Sequence, residues 1–327
     1  MNTSTLGTIV AVVCLAAAGC DDAAAPAACD RACLIDIAGA YLGAVAARDP
    51  GRAPLADNVA FVENVTRLAP GQGIWASAVQ THPTYRIYVP DAEASSIGIM
   101  TVVDRETEHG IAPAQLAVRL KVEARRITEA EHLVAPIEND EARERLTAPR
   151  PNLVAPLPAA ERRPRAELAA IAASYYDSLD SSDGSLAPFA EDCQRLENGV
   201  ITAGPGLPPE PFASVDVDGR APPPVARDCI GQMSSHRFAY IDTIDNRRVF
   251  AVDPVQGLAM GLSHFRQSMA QGPLPLIAAD GTQVMWAEKR DPYDLPAAHI
   301  LKITGGKIHE VEALGIFIPY DSPTGWE

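Results

Sequence analysis

Two segments of the chain carry apolar residues at the spacing of a helix that buries one face. The first lies within residues 34–45 and the second within 168–179. Each is followed by a turn that contains proline and by a short stretch that ends in Glu-Asn. The pattern predicts, in both places, a leading helix and then a short strand. The periodic positions are Leu34, Ile37, Ala38, Tyr41, Leu42 and Val45 in the first, and Leu168, Ile171, Ala172, Tyr175 and Leu179 in the second.

Alternating or continuous apolar stretches follow each helix, and they predict strands. The last two strands of each half are predicted to form a hairpin, with turns at 123–126 and 304–307. A leading helix followed by an antiparallel sheet predicts an α+β fold. The predicted strands cover 85–89, 97–103, 116–122 and 127–134 in the first half, and 238–241, 248–252, 258–262, 298–303 and 308–318 in the second.

The two halves repeat each other in sequence. Residues 34–64 align without gaps with 168–198 at an offset of 134, and residues 120–133 align with 301–314 at an offset of 181. The difference between these offsets gives the second half about 47 extra residues. Three matches in one order predict a tandem duplication. The third and weakest pairs His82, Ile87 and Asp91 with His236, Ile241 and Asp245.

The repeat sets the predicted domain boundaries. The first domain covers residues 29–136 and the second covers 165–327. A proline-rich linker at 137–164 separates them and suits an extended spacer. The second domain carries a Pro-rich loop insertion at 204–227, which we expect to be an ordered or lid-like loop.

The N-terminal residues have the pattern of an export signal. Residues 6–18 are apolar, which is typical of a signal-peptide core and too short to span a bilayer comfortably. The tetrapeptide at 17–20 resembles the lipobox of bacterial lipoproteins, with Ala17 where leucine is usual. We predict a lipoprotein signal peptide at 1–20, lipidation of Cys20, a tether at 21–28, and anchoring in the cell envelope at its periplasmic face or outer surface. Plain secretion and a retained anchor are the alternatives.

Four further cysteines fit an oxidising compartment, because Cys29, Cys33, Cys193 and Cys229 are an even number. The preferred pairing is Cys29–Cys33 and Cys193–Cys229, one of the three that four cysteines allow. A zinc site is disfavoured, since the chain has no Cys-x-x-Cys with a nearby histidine.

Composition and charge narrow the function classes. The chain has 327 residues, of which 47% are hydrophobic, so two domains can each bury a core. Its formal net charge of −15 opposes binding to nucleic-acid phosphates and to anionic lipid. No Gly-rich phosphate loop, Gly-x-Ser-x-Gly or His-Glu-x-x-His occurs. We therefore expect no nucleic-acid partner, no metal site and no cofactor.

The hairpin at 301–312 is similar to the closing hairpin of SnoaL-like domains, which belong with ketosteroid-isomerase-like domains to the nuclear-transport-factor-2-like superfamily. The chain also resembles uncharacterised secreted proteins with two such copies. The resemblance implies two tandem cone-shaped domains, each a curved antiparallel sheet wrapped around N-terminal helices and enclosing an apolar pocket. It also implies that the two copies pack as an intramolecular pseudo-dimer. The resembling stretches are 29–34, Glu63-Asn64, Gly73-Ile74-Trp75, Glu197-Asn198-Gly199 and Pro319-Tyr320 with Gly325-Trp326.

Four residues are candidates for acid–base catalysis. Glu63 and Glu197 end the short strands, and a carboxylate at a pocket mouth can act as a base when desolvation raises its pKa. His82 and His236 recur in the two halves, and histidine titrates near neutrality. The alternative roles are turn formation or helix capping for the glutamates and loop packing for the histidines.

Six residues are candidates for ligand binding: Tyr41, Asn64, Trp75, Tyr175, Arg195 and Asn198. The two tyrosines lie on the inner helix face, where a phenol can donate to an oxyanion or simply pack in the core. The arginine has no counterpart in the first half and can bind a carboxylate or phosphate, or form a structural salt bridge. The tryptophan can line a pocket or fill it.

The paired glutamates of the closing hairpins, Glu129 with Glu131 and Glu310 with Glu312, alternate along their strands and are expected on a solvated sheet face. We predict that the protein binds a small, largely apolar molecule in a cone-shaped pocket, with cofactor-free acid–base catalysis of isomerase, dehydratase or hydrolase type. The alternative is a non-catalytic envelope binding or structural protein. The second half is the better candidate for the site, because it has the longer loop and the extra arginines.

Overall fold

The computed structural model describes residues 1, 28–208 and 219–327. The predicted signal peptide beyond its first residue, Cys20 and residues 21–27 of the tether lie outside the described residues, as does part of the loop insertion at 204–227. Within the described ranges, no helix is long and apolar enough to cross a membrane.

The first half is a helix packed on a six-stranded sheet with the order β2-β1-β6-β5-β4-β3. The short strand β1 runs parallel to β6, and the other neighbours are antiparallel. The elements are α1 (Arg31–Ala46), β1 (Leu55–Glu63), β2 (Thr66–Leu68), α2 (Ile74–Ser77), β3 (Ala78–Asp91), β4 (Ser96–Thr107), β5 (Gly110–Glu123) and β6 (Arg126–Pro136).

The linker contains two short helices, α3 (Asp140–Arg145) and α4 (Pro151–Val154). The second half then repeats the first, with a sheet order of β8-β7-β14-β13-β10-β9 and with β7 parallel to β14. The hairpin β11–β12 is separate from this sheet, and β15 pairs with β13. The elements are α5 (Arg165–Asp180), β7 (Phe189–Glu197), β8 (Val200–Ala203), α6 (Cys229–Ser234), β9 (Thr243–Asp253), β10 (Leu258–Gln267), β11 (Leu274–Ile277), β12 (Gln283–Trp286), β13 (Tyr293–Thr304), β14 (Lys307–Gly315) and β15 (Ile318–Pro319).

Both leading helices bury the face that their apolar spacing predicts. Asp30 caps α1 by accepting a hydrogen bond from the backbone N–H of Cys33 at 2.9 Å. Leu34, Tyr41 and Leu42 then pack in the core between α1 and the sheet. The predicted α+β class, with a curved sheet against an N-terminal helix in each half, is confirmed.

The two closing hairpins form as predicted. The strands β5 and β6 meet at Ala124 and Arg125, whose φ angles are 48° and 62°. Gly305 and Gly306 occupy the same positions between β13 and β14, also with positive φ. Two residues with positive φ match the twist of a tight hairpin, so glycine suits the second copy and the first copy adopts a conformation that non-glycine residues rarely take.

Two expectations from the second half are wrong. Residues 238–241 form turns rather than a strand, and the edge strand begins at Thr243. The third repeat match is also out of register. Asp91 ends β3 as Asp253 ends β9, so the structural counterpart of Asp91 is Asp253 and not Asp245.

The two sheets pack against each other and share a core. This core includes Ile87 and Met100 from the first sheet and Met260 and Ile300 from the second. The expectation that the hairpin glutamates face solvent is therefore wrong for two of them. Glu131 is 8% exposed and Glu312 is 2% exposed, because the outer face of each sheet is covered by the other sheet and by the linker.

Charged contacts at this interface bridge the two halves. Glu131 accepts two hydrogen bonds from Arg248, at 2.8 and 2.9 Å. The linker residue Arg150 lies 3.2 Å from Glu312. Burial raises the pKa of Glu312, and the nearby guanidinium of Arg150 opposes that rise.

The first residue of each leading helix makes an ion pair with the opposite half. Arg31 of α1 lies 2.9 Å from Asp253 of β9, and Arg165 of α5 lies 2.8 Å from Asp91 of β3. The two arginines are counterparts at the offset of 134, and the two aspartates each end an edge strand. Equivalent residues of the two halves therefore contribute to both ion pairs.

The structure contains the two preferred disulfides, Cys29–Cys33 and Cys193–Cys229. The first closes the start of α1, and the second ties β7 to α6 across a sequence separation of 36.

We expect the double variant Cys193→Ala/Cys229→Ala to lower the free energy of unfolding by about 2–4 kcal/mol, because a disulfide that closes a long loop restricts the unfolded chain. Urea denaturation measures this loss. The matched variant Cys29→Ala/Cys33→Ala should lose less, since its bridge spans a sequence separation of only 4. A larger loss from the short bridge would contradict this explanation.

Candidate functional site

The second domain contains a cavity of about 520 Å³. This volume falls in the range of small-molecule sites. One wall is formed by α5 and by the inward side chains of the sheet, and the linker contributes Glu138. Its apolar lining includes Leu179, Phe238, Ile241, Phe265, Leu295 and Ala297.

Successive side chains of a strand point to opposite faces of the sheet, so every second residue of a strand reaches the cavity. Tyr293, Leu295, Ala297 and His299 all line it from β13. The segment 237–241 after α6 and the segment 288–290 after β12 add further lining residues. The extra residues of the second half therefore build part of the site, although the lining comes from these segments rather than from the described residues of the loop insertion.

Arg195 of β7 forms part of the wall and is 1% exposed. Its Nε and Nη2 donate to the hydroxyl of Tyr175 at 3.2 and 3.0 Å. Its Nη1 donates to Oε1 of Gln232, and its Nη2 also donates to the carboxylate of Glu197. This predicted ligand-binding arginine is thus held by protein groups, and the hydroxyl of Tyr175 is occupied as an acceptor.

Glu197 is the predicted catalytic residue that the structure places on the cavity wall. It ends β7, and one carboxylate oxygen forms an ion pair with Arg195. Its side chain is 40% exposed, so the carboxylate remains accessible from the cavity.

His299 also lines the cavity, is 4% exposed and was missed by the sequence analysis. Its Nδ1 is 3.3 Å from the hydroxyl oxygen of Tyr176, which leaves Nε2 as the second polar atom of the ring. Burial, together with the charge of Arg195, lowers the pKa of His299 to about 3. The imidazole is therefore neutral at physiological pH.

Because the folded chain resists protonating His299, stability should fall as the pH drops from 6.5 towards 3. In that window the unfolded chain binds the proton and the folded chain does not. Urea denaturation between pH 4 and 7 should show a steeper decline for the wild type than for His299→Gln, by up to about 1.4 kcal/mol per pH unit. The variant His109→Gln, at an exposed position, should match the wild type. Equal slopes for all three proteins would refute a neutral buried His299.

In the first domain, aromatic side chains fill the corresponding space. His132 lies on β6, with its Nε2 2.9 Å from the hydroxyl oxygen of Tyr41 and its Nδ1 3.1 Å from Glu63. Trp75 packs edge-on against Tyr41 at 5.2 Å, and Phe61 packs against His132 at 4.9 Å. All four rings are at most 2% exposed, so Tyr41 and Trp75 act as core residues here.

His132 and His299 belong to equivalent cross-strand pairs of the two sheets, but they lie on opposite members of the pair. In the first sheet His132 pairs with Val118, and in the second Ala313 pairs with His299. The small side chain at 313 leaves room beside Glu197, its neighbour on β7. The second half has alanine where the first half has histidine, and this smaller side chain helps to leave the cavity open.

Glu63 has a local role in addition to its contact with His132. Its carboxylate accepts a hydrogen bond from the backbone N–H of Ile74, at the start of α2. Gly73 precedes that helix with a φ of 63°, and a Cβ there would lie 2.7 Å from the carboxylate carbon of Glu63. The glycine therefore lets the carboxylate approach closely, which fits the helix-capping alternative.

The two asparagines join strands. Asn64 and Asn198 have φ angles of 46° and 49°, in the left-handed region that asparagine tolerates. The side chain of Asn64 exchanges two hydrogen bonds with the backbone of Val134, and Asn198 does the same with Gly315. Asn198 also lines the cavity, but its amide is already paired.

The structure does not bring the remaining two catalytic candidates to the glutamates. His82 lies on β3, at the far end of the sheet order from Glu63, and is 3.0 Å from Asp104. His236 lines a separate recess of about 40 Å³. Among the described residues, no group of three or more His, Cys, Asp or Glu side chains is placed to hold a metal ion.

The chain is similar to one family model and to several solved structures. A family model described as a domain of unknown function, DUF8021, matches residues 161–315. No curated protein sequence matches the chain.

Among the similar solved structures, three cover about a third of this chain. PrhC from Penicillium brasilianum is 12% identical, with 32% of this chain and 81% of that chain covered and a TM-score of 0.28. A proposed polyketide cyclase from Xanthomonas campestris pv. campestris is 18% identical, with 32% and 90% covered and a TM-score of 0.27. A protein from Catenulispora acidiphila in complex with trimethylamine is 14% identical, with 30% and 83% covered and a TM-score of 0.25. That last structure is described as having a ketosteroid isomerase-like fold.

Proposed function

We propose that the second domain binds a small, largely apolar molecule. The cavity of about 520 Å³ carries this proposal. Protein interiors are packed with few voids larger than a water molecule, so a space of this size behind a well-packed sheet favours a ligand site. The corresponding space of the first domain is filled by Trp75 and His132, which supports a site in one domain and a packing role for the other.

The charges around the cavity favour an uncharged ligand. Arg195, Arg237 and Arg290 line it, and so do three glutamates. The formal charges of these six side chains cancel, and His299 adds none at neutral pH. A net charge on the ligand would therefore be buried without a matching excess of opposite charge, which is costly. The three glutamates are Glu138, Glu197 and Glu288.

A neutral apolar fluorophore tests this function. We expect N-phenyl-1-naphthylamine to bind saturably to the full chain at one equivalent, with the emission increase of an apolar environment. Native mass spectrometry of the purified protein should show a bound small molecule, or a free site that takes up the fluorophore. Absence of both saturable fluorescence and any bound mass would contradict the proposal.

Acid–base catalysis is the second candidate, because Glu197 and His299 line one cavity. With the hydroxyl of Tyr176 donating to Nδ1, the neutral ring carries its proton on Nε2 and can donate to a carbonyl oxygen. Glu197 would then take a proton from the adjacent carbon.

Turnover of a co-purified molecule distinguishes catalysis from binding. If the site is catalytic, Glu197→Gln should slow the exchange of a carbon-bound hydrogen of that molecule for deuterium in D2O by roughly 100-fold or more. Glu191→Gln is the matched control, since Glu191 is exposed on the same strand. Equal rates in both variants, or an unaltered molecule with the wild type, would leave binding as the function.

We also propose that the chain is exported and lipid-anchored at Cys20. The apolar residues 6–18 and the two disulfides of the described part support export, since disulfides persist in oxidising compartments. In a bacterial host, the full chain should incorporate a radiolabelled fatty acid and Cys20→Ser should not. Equal labelling of both would contradict the assignment of Cys20.

The two halves are proposed to form an intramolecular pseudo-dimer. The reciprocal ion pairs Arg31–Asp253 and Arg165–Asp91 support it, together with the core shared between the sheets. Such a pairing would satisfy, within one chain, an interface that otherwise needs a second copy.

A further inference from the structure

One polar side chain on the cavity wall has unused hydrogen-bonding capacity. Gln267 is the last residue of β10, lines the cavity and is 2% exposed. Its Oε1 is buried and has no hydrogen-bond partner among the described residues. A buried amide oxygen without a donor is unfavourable relative to one that is paired.

Gln232, a second buried glutamine on this side of the domain, differs from Gln267 in this respect. Gln232 is also buried, but its Oε1 accepts from Arg195 and its Nε2 donates to the backbone carbonyl of Thr202. That glutamine is part of the support for the arginine. Gln267 has no such structural partner for its oxygen, and the residue lies on the cavity wall.

The position of Gln267 places this amide away from His299. Gln267 pairs with Tyr293 across the ladder, and the inward residues of β13 then run through Leu295 and Ala297 to His299. Six residues of strand separate the level of Gln267 from that of His299, which is about 20 Å. The side chains of β13 between these two levels, Leu295 and Ala297, are apolar, and Phe265 faces Leu295 across the ladder. This strand therefore presents apolar side chains to the cavity between Gln267 and His299.

We propose that Gln267 recognises the ligand, and that the ligand is an uncharged molecule with an amide-like edge, in which a hydrogen-bond donor lies beside an acceptor. A carboxamide presents one acceptor and two donors, so it can pair with a lactam or amide through two adjacent hydrogen bonds. Turning the amide over exchanges the oxygen and nitrogen but keeps both functions. A carboxylate or phosphate would provide no donor for Oε1. This inference rests on the proposed binding function and adds the class of ligand.

Three matched probes test it on the full chain by isothermal titration: 2-quinolinone, its N-methyl derivative and 2-methoxyquinoline. All three are uncharged bicyclic molecules, and only the first carries a lactam N–H beside its carbonyl. We expect the wild type to bind 2-quinolinone about fivefold or more tightly than the other two, as one hydrogen bond predicts. Gln267→Leu and Gln267→Met should bind all three alike.

Gln115→Leu is the control variant. Gln115 is also a buried glutamine, at 1% exposure, whose Oε1 has no partner, but it lies in the first sheet and not on this cavity. It should keep the preference of the wild type for the lactam. Equal affinity of the wild type for the three probes, or an undiminished preference in both Gln267 variants, would overturn the role of Gln267 while leaving the cavity as a binding site. Failure of all three probes and of the apolar fluorophore to bind would overturn both proposals.

Discussion

Replacing Asp91 by alanine is expected to lower the free energy of unfolding by about 3–5 kcal/mol, the cost of leaving one partner of a buried ion pair alone. The side chain of Asp91 is 2% exposed and accepts hydrogen bonds from Arg165 at 2.8 and 3.0 Å. It also accepts from the backbone N–H of Val252, in the opposite half, at 3.0 Å. The substitution therefore removes the acceptor of three hydrogen bonds that cross between the halves. Urea denaturation followed by circular dichroism measures the loss.

Asp57→Ala is the control for this variant. The side chain of Asp57 is fully exposed and lies 3.8 Å from Arg126, so its loss should change the free energy of unfolding by less than about 0.5 kcal/mol. Asp253→Ala should resemble Asp91→Ala, because Asp253 is 1% exposed and pairs with Arg31. A change as small as that of Asp57→Ala in both buried variants would show that the reciprocal pairs do not hold the halves together.

The features that the sequence predicted correctly are those that depend on local spacing. The helices α1 and α5 follow from apolar residues three and four apart, because this spacing directs them to one side of the helix. The turn at Gly305-Gly306 follows from the conformational freedom of glycine. The Cys29–Cys33 bridge joins a residue just before α1 to one in its first turn, so its geometry is also local.

The features that the sequence could not predict depend on how sheets pack. An alternating strand has one buried face if a single layer covers it, and this assumption placed Glu131 and Glu312 in solvent. The second sheet covers that face, so both glutamates are buried beside arginines that lie far away in sequence. The separation of Glu131 from Arg248 is 117 residues, and no local pattern signals such a partner.

The cavity histidine illustrates the same limit. The repeat alignment contains a signal. In it, His132 aligns with Ala313, and the flanking residues are identical: Glu131 aligns with Glu312, and Leu133 with Leu314. The alignment shows that a histidine is lost there in the second half. It does not show that His299 replaces it on the adjacent strand, because that requires the register of β13 against β14. Cross-strand neighbours become visible only when the pairing is known.

Filling this position should remove the proposed site. Ala313 is 3% exposed and lies on the cavity wall between Glu197 on β7 and His299 on β13. We expect Ala313→Trp to weaken binding of N-phenyl-1-naphthylamine by roughly 100-fold or more, since each 1.4 kcal/mol of steric overlap with the ligand is about a factor of ten in affinity. The domain should remain folded, because the indole enters space that is already open and the first domain carries His132 at the same position of its ladder.

The control for this variant is Leu186→Trp, which adds an indole at an exposed residue of the same domain. It should bind the fluorophore like the wild type. Urea denaturation should show that both variants are folded in the absence of urea, so that a loss of binding does not reflect unfolding. Wild-type affinity in Ala313→Trp would place the fluorophore outside this cavity and remove the main support for a ligand site in the second domain.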